Sequence, residues 1–202
     1  MSDLGEFLMS NQPFVVAIIP ARMGSSRFPG KPLKEIDGKP MLLRTYDQCL
    51  KAVKKENIIV ATDDERISKF CKLNSIAHIE TSSNCLTGTD RVAEVAEKIV
   101  AKRYINVQAD EPVIDPLDIK KVLNESDLYP NLVHCGFTKI NNESEYNSLS
   151  LPKVVTDLDN YLLYMSRAPI PGNKHAKFEA SWRQVCVYAF PYKSLISFKQ
   201  YG

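Results

Sequence analysis

Residues Val15–Leu33 read VVAIIPARMGSSRFPGKPL, and the fold is decided here. Val15–Pro20 is an unbroken apolar run rich in β-branched residues, the pattern of a strand buried on both faces. A loop with two glycines, two serines and the cations Arg22, Arg27 and Lys31 follows at once. Such a loop is poorly suited to a core and costly to order without a ligand.

Outward from this stretch, strand and helix signals alternate. The pattern predicts a strand over Phe14–Pro20, a helix over Met41–Lys54 and a strand over Ile58–Ala61. It then predicts a helix capped within Thr62-Asp63-Asp64 and running to about Leu73, and a strand over Ala77–Glu80. A helix capped by Thr89 or Asp90 runs to Lys102, a strand covers Tyr104–Gln108, and Asp115-Pro116 opens a helix to Asn124. Strands separated by helices of this length pair in parallel through right-handed crossovers, giving an open, Rossmann-like α/β sheet with helices on both faces. After Leu132 the pattern turns β-rich, with strands expected over Leu132–Thr138, Lys153–Thr156, Tyr161–Met165 and Val185–Phe190. Asp157-Leu158-Asp159-Asn160 reads as a hairpin turn. The expected organisation is a flexible leader over 1–13 and one α/β domain over 14–202, extended by β-structure from about 132.

The 202 residues can build one sizeable core. A net charge of +2 is too small to draw nucleic acid by long-range attraction, so any anion site must come from local clustering. Five cysteines, an odd number with no CxxC pair, argue against disulfide and zinc frameworks and suit a reducing cytosol. His78, His134 and His175 lack metal-ligand spacing. The opening MSDLGEFLMSNQP has no basic region or apolar core of a signal peptide. No apolar run approaches the roughly 18–20 residues that cross a bilayer, so no membrane span is expected.

In open α/β sheets, ligands bind outside the carboxyl ends of the strands, and the loop over Ala21–Lys31 leaves such an end. Gly24 and Gly30 let backbone amides approach a ligand, while Arg22, Arg27 and Lys31 supply charge suited to phosphate oxygens. Five residues separate Gly24 from Gly30 and Pro32 follows Lys31, so the loop is not a P-loop. No GxGxxG occurs either. NVQADEP at Asn106–Pro112 puts Gln108, Asp110 and Glu111 at the end of another strand. A carboxylate there can hold Mg²⁺ against a polyphosphate, since Mg²⁺ takes one or two carboxylates plus substrate oxygens and water. Read alone, the first loop could be an ordinary basic surface loop and the second a surface turn. Together they point to a metal–nucleotide site.

IIPARMGSSRFPGKPL, GKPM, IIVATDDERI, TGTDRVAEV, NVQADEP and YMSRAPIP occur in this order from Ile18 to Pro171. The set resembles the 3-deoxy-manno-octulosonate cytidylyltransferases, which make a CMP-activated sugar acid for lipopolysaccharide and related glycans. The resemblance implies a cytoplasmic nucleotidyltransferase whose β-rich extension forms a homodimer. It also implies that Arg22 and Lys31 contact the phosphates of CTP, and that Ser25 and the Ala21–Gly24 backbone line the nucleotide pocket. Gly88, Thr89 and Arg91 would stand near the cytidine, Gln108 would reach nucleotide or sugar acid, and Asp110 would ligate Mg²⁺. Arg167, Gln184 and Tyr188 would serve the acidic sugar. The implied chemistry is in-line attack of the anomeric hydroxyl on the α-phosphorus, releasing pyrophosphate.

Three departures qualify the resemblance. Ala109 stands where the family has Gly in QGDEP. Gln184, in QVCVY, stands where the family has the His of HLGIY. The sequence stops at Gly202, before a VDTPED segment that supplies the family's second metal ligand, which leaves Asp110 as the matched carboxylate. Three readings follow: transfer to the octulosonate, transfer to an amino-substituted or other nonulosonic acid, and a nucleotide-binding relative without catalysis.

Overall fold

The computed structural model describes residues 14–24, 28–175 and 177–201; the expected leader over 1–13, Ser25 and Arg27 lie outside them. The chain forms two compact units, the first made of residues up to His134 together with those from Val187 onward, the second of Cys135–Cys186. The sequence predicts one domain over 14–202 with a β-rich extension from about 132, where the structure shows a separate unit over Cys135–Cys186. The chain then returns to the first unit for its last strand segment and helix, so the extension is an insertion.

In the first unit, β1 (Val15–Pro20), β4 (Ile58–Thr62), β5 (His78–Glu80) and β6 (Arg103–Val107) are parallel, in the order β5-β4-β1-β6. The Val187–Pro191 part of β10 (Trp182–Pro191) adds antiparallel beside β6, with Tyr188 opposite Asn106. β4 and β6 are buried along their whole length, and β1 after its first residue. Burial on both faces explains why these strands read as plain apolar runs.

The crossover helices are α1 (Met41–Leu50), α2 (Glu65–Leu73), α3 (Gly88–Lys98) and α4 (Pro116–Leu128). Val16, Ile18, Ile59, Ala61 and Tyr104 pack one face of the sheet against Val92, Ala93, Val95 and Ala96 of α3 and Leu195 of α6 (Tyr192–Tyr201). Ala17, Ile19, Ile58, Val60 and Ile105 alternate with them and are buried toward the opposite face. A two-residue hairpin that the sequence pattern does not announce, β2 (Glu35–Ile36) with β3 (Lys39–Pro40), precedes α1.

From β1 the chain steps outward through β4 to β5, then returns to β6 on the other side of β1. The reversal falls between β1 and β6. It is the switch point where open α/β sheets leave a crevice beyond their strand ends.

In the second unit, β8 (Lys153–Thr156) and β9 (Leu162–Ser166) form an antiparallel hairpin, and Trp182 and Arg183 of β10 pair with β8. The predicted turn is where expected: Asp157 Oδ1 accepts from the amides of Asp159 (3.0 Å) and Tyr161 (2.8 Å), and Asn160 takes a φ of 65°. β7 (His134–Lys139) pairs with β10, and α5 (Glu143–Asn147) follows it, capped by Asn142.

Candidate active site

The two loops that leave the switch point are joined by charge. Lys31 Nζ donates to Asp110 Oδ2 at 2.8 Å, with the two side chains 35% and 50% exposed. An ion pair this exposed contributes at most about 1 kcal/mol, so it is not what holds the fold. Its consequence is positional: the loop after β1 and the loop after β6 present one cation and one carboxylate side by side.

Backbone geometry sets the first loop. Ala21 N–H donates to the Ala61 carbonyl (2.9 Å), anchoring the loop to the end of β4. Gly30 N–H closes it on the Met23 carbonyl (3.0 Å). Gly30 has a φ of 75° and opens the one-turn 3₁₀ helix Lys31–Leu33, so Lys31 projects from a fixed turn. Gly24 has neither a positive φ nor a neighbour within 4 Å of an added Cβ. Arg22 Nη1 donates to the Leu86 carbonyl at 3.0 Å, tying this loop to the segment before α3 and using one of five guanidinium hydrogens.

That segment caps α3. The N-cap is Thr87, not Thr89 or Asp90: its hydroxyl accepts from Asp90 N–H, and the Asp90 carboxylate accepts from Thr87 N–H (2.6 Å). Glycine and threonine thereby fall in the first turn as Gly88 and Thr89. Gly88 is there for space, since a Cβ on it would lie 2.8 Å from Gln108 Nε2, 3.0 Å from Gln108 Oε1 and 3.1 Å from Pro20 Cγ.

Arg91 stands one turn further on. Its guanidinium is buried and bonds Thr81 Oγ1 (2.6 Å), the Ser82 carbonyl (3.2 Å) and the Asp63 carboxylate (2.9 Å). These bonds tie the ends of β4 and β5 to α3. Cys85 donates to Glu94 at 3.4 Å, and burial, then the Glu94 carboxylate, pushes its thiol up to about 11. The thiol stays protonated and is no nucleophile.

The loop after β6 is braced from beneath. Thr45 of α1, fully buried, donates its hydroxyl to the Ala109 carbonyl (3.1 Å), and Ala109 itself is buried. Gln108 Nε2 donates to Asn106 Oδ1 at 3.3 Å. Thr45 and Asn106 were not among the expected site residues. The available signal was a polar residue inside an otherwise apolar strand, Tyr104-Ile105-Asn106-Val107.

Of the remaining candidates, Tyr188 belongs to the first unit and stacks on Phe190, 5.9 Å between ring centroids. Arg167 and Gln184 belong to the second. Arg167 Nη1 donates to the carbonyls of Leu149 (2.9 Å) and Ser150 (3.0 Å). Gln184 Nε2 donates to Cys135 Sγ at 3.6 Å. Among the described residues no group of three His, Cys, Asp or Glu side chains is gathered to hold a metal. A metal here would draw on Asp110 and on oxygens brought by the substrate.

A parallel sheet with this switch point, crossed by a cationic glycine-bearing loop that meets a carboxylate, defines an α/β nucleotide-binding class. A family-wide sequence profile of cytidylyltransferases matches residues 16–200, and the chain belongs to the cytidylyltransferase family. A 3-deoxy-manno-octulosonate cytidylyltransferase of Geotalea daltonii is 40% identical over 192 residues, covering 93% of this chain and 73% of that protein. An 8-amino-3,8-dideoxy-manno-octulosonate cytidylyltransferase of Shewanella sp. (strain ANA-3) is 38% identical, covering 87% of this chain and 74% of that protein. A CMP:2-keto-3-deoxy-manno-octonic acid synthetase solved in complex with CTP matches with a TM-score of 0.84 at 37% identity, over 92% of this chain and 77% of that one.

Proposed function

We propose that the chain transfers the cytidylyl group of CTP to the anomeric hydroxyl of a 3-deoxy-manno-octulosonate-type sugar acid. The observation that carries this reading is the Lys31–Asp110 pair at the switch point of a cytidylyltransferase sheet. The hydroxyl oxygen gives up its proton to water as it forms a new bond to the α-phosphorus, the bond from that phosphorus to the oxygen of the β-phosphate breaks, and pyrophosphate leaves with that electron pair. Lys31 stands on a fixed turn and Arg22 is held by its bond to the Leu86 carbonyl, where both neutralise the phosphates, and alignment with charge stabilisation supplies most of such a rate enhancement. Binding of the polyphosphate exchanges the Lys31–Asp110 contact for Lys31–phosphate contacts and frees the carboxylate.

Asp110 fits Mg²⁺: it is a half-exposed carboxylate beside Lys31, a cation expected to take the phosphates, and Mg²⁺ needs one or two carboxylates with substrate oxygens and water completing its shell. When bound, the ion would offset charge on the phosphates. Pyrophosphate release from CTP across a panel of sugar acids, with Mg²⁺ added or chelated, tests both claims. Turnover with none of the acids defeats the first, and undiminished turnover in chelator defeats the second.

A second acceptor is supported by Gln184, the neutral residue at the family's usual histidine position, and by relatives named for the 8-amino analogue. The ratio of kcat/KM between the two acids decides it: preference for the unmodified octulosonate ends the amino reading.

We further propose a homodimer through the second unit. Leu162, Leu163 and Tyr164 are 53%, 64% and 61% exposed. Successive strand residues face opposite ways, so both sides of β9 lie open. An apolar surface of this kind is the mark of an interface. Five free thiols suit a reducing, cytoplasmic setting, and no helix among the described residues is long and apolar enough to cross a membrane.

A further inference from the structure

Asn106 has no exposed surface, although it sits in the middle of a strand where an aliphatic side chain would pack without cost. Its Nδ2 has no hydrogen-bond partner among the described residues, while its Oδ1 accepts from Gln108 Nε2 at 3.3 Å. The Gln108 carboxamide is confined on another side by the first turn of α3, so closely that a Cβ at 88 would displace it. A buried carboxamide that leaves one of its own donors unsatisfied does not improve the core; what it does is grip Gln108.

We infer that Asn106 is a positioning residue for Gln108, and this inference rests on the cytidylyltransferase reading above. With Nε2 committed to Asn106, the Gln108 carboxamide cannot turn over freely, and Oε1 is the atom kept for a substrate donor. Two donors suit an amide oxygen here, a hydroxyl of the sugar acid and the exocyclic amine of cytosine. An amine partner would also discriminate against UTP, whose ring has an acceptor at that position.

The test is a double-mutant cycle on Asn106→Ser and Gln108→Ala, reading kcat and both KM values. Asn106→Ser in the wild-type background should lower kcat/KM by about five- to tenfold, the scale of one net hydrogen bond. In the Gln108→Ala background it should change nothing, because the group it orients has gone. Additive losses overturn the inference. The substrate whose KM rises in Gln108→Ala identifies the donor, and a gain in UTP use assigns the cytosine amine. Side-chain amide exchange by NMR needs neither turnover nor a folded variant. In the intact wild-type chain the Gln108 amide protons should exchange far more slowly than those of exposed Gln200. Equal exchange rates overturn the inference even if catalysis is as proposed. Slow exchange in a chain that turns over no CTP leaves the positioning standing and removes the functional reading.

Discussion

At Gly88 the first turn of α3 meets the Gln108 carboxamide with no room for a side chain, an added Cβ falling 2.8 Å from Nε2 and 3.1 Å from Pro20 Cγ. The closest atoms belong to the tip of a flexible side chain, which can swing away. Gly88→Ala should therefore shift the melting temperature by only a few degrees, yet lose about ten- to a hundredfold in kcat/KM as Gln108 is pushed aside. Unchanged kinetics would show that Gln108 has no fixed place in the site. Lys31→Ala removes a charge that contributes little to stability and much to phosphate binding, and should cost about a hundredfold in kcat/KM with a higher KM for CTP. Steady-state kinetics beside a thermal melt checks both halves of that statement. Lys31 and Asp110 were legible in the sequence because each lies in a loop after a buried apolar strand, and the two loops carry opposite charge; either alone reads as ordinary surface. Thr45 and Asn106 were not. Thr45 bonds across 64 residues and leaves no local pattern, whereas Asn106 leaves one faint mark, a polar residue within an apolar strand.

Elements were legible where their ends carry local chemistry. Asp115 before Pro116 caps α4 as expected, and Asp64 caps α2 by accepting from Arg66 N–H. The start of α3 was misread because three candidate caps, Thr87, Thr89 and Asp90, lie within four residues. The reciprocal Thr87–Asp90 box selects the first. The hairpin β2–β3 has two-residue strands too short for any periodicity, and only Asp37-Gly38, both at positive φ, mark its turn. Helix α6 follows β10 without a loop and gives no break to read. For α2 the cap makes a pH prediction. Side-chain hydrogen bonds from Arg66 hold the Asp64 carboxyl below its usual value of 3.8. A depressed folded value means stability that is complete above the unfolded value and lost as the pH falls below it through the folded one. Asparagine caps as well as aspartate but does not titrate. Asp64→Asn should cost less than about 1 kcal/mol at pH 7, both partners being partly exposed. Its urea-unfolding stability should also fall less steeply than that of wild type below about pH 4. Parallel pH curves for the two proteins would contradict this origin for the cap.

For the whole molecule, the alternation of strands and helices up to residue 134 was enough to read an open parallel sheet, because each element there carries its own periodicity. The division into two units was only half visible. A β-rich stretch announces its start, but nothing local tells that residues from Val187 rejoin the first sheet beside β6, a pairing made across about eighty residues of chain. The second unit is organised around Lys153, fully buried, which donates to the carbonyls of Ser148 (2.6 Å), Leu151 (2.9 Å) and Arg167 (2.9 Å). Burial, then the neighbouring Arg167, lowers its pKa. If the bare hairpin of this unit is a dimer surface, light scattering at micromolar concentration should give twice the chain mass. Leu163→Lys with Tyr164→Lys should give the monomer; a monomeric wild type would contradict the dimer.

The most direct test of cytidylyl transfer at this site is pyrophosphate release by Asp110→Asn beside wild type, with CTP, Mg²⁺ and 3-deoxy-manno-octulosonate. The substitution keeps the shape of a half-exposed side chain and removes its charge. Wild type should turn over, and the variant should fold, bind CTP in the absence of metal at least as well, and lose nearly all turnover. Wild-type turnover and Mg²⁺ dependence in Asp110→Asn would contradict the account.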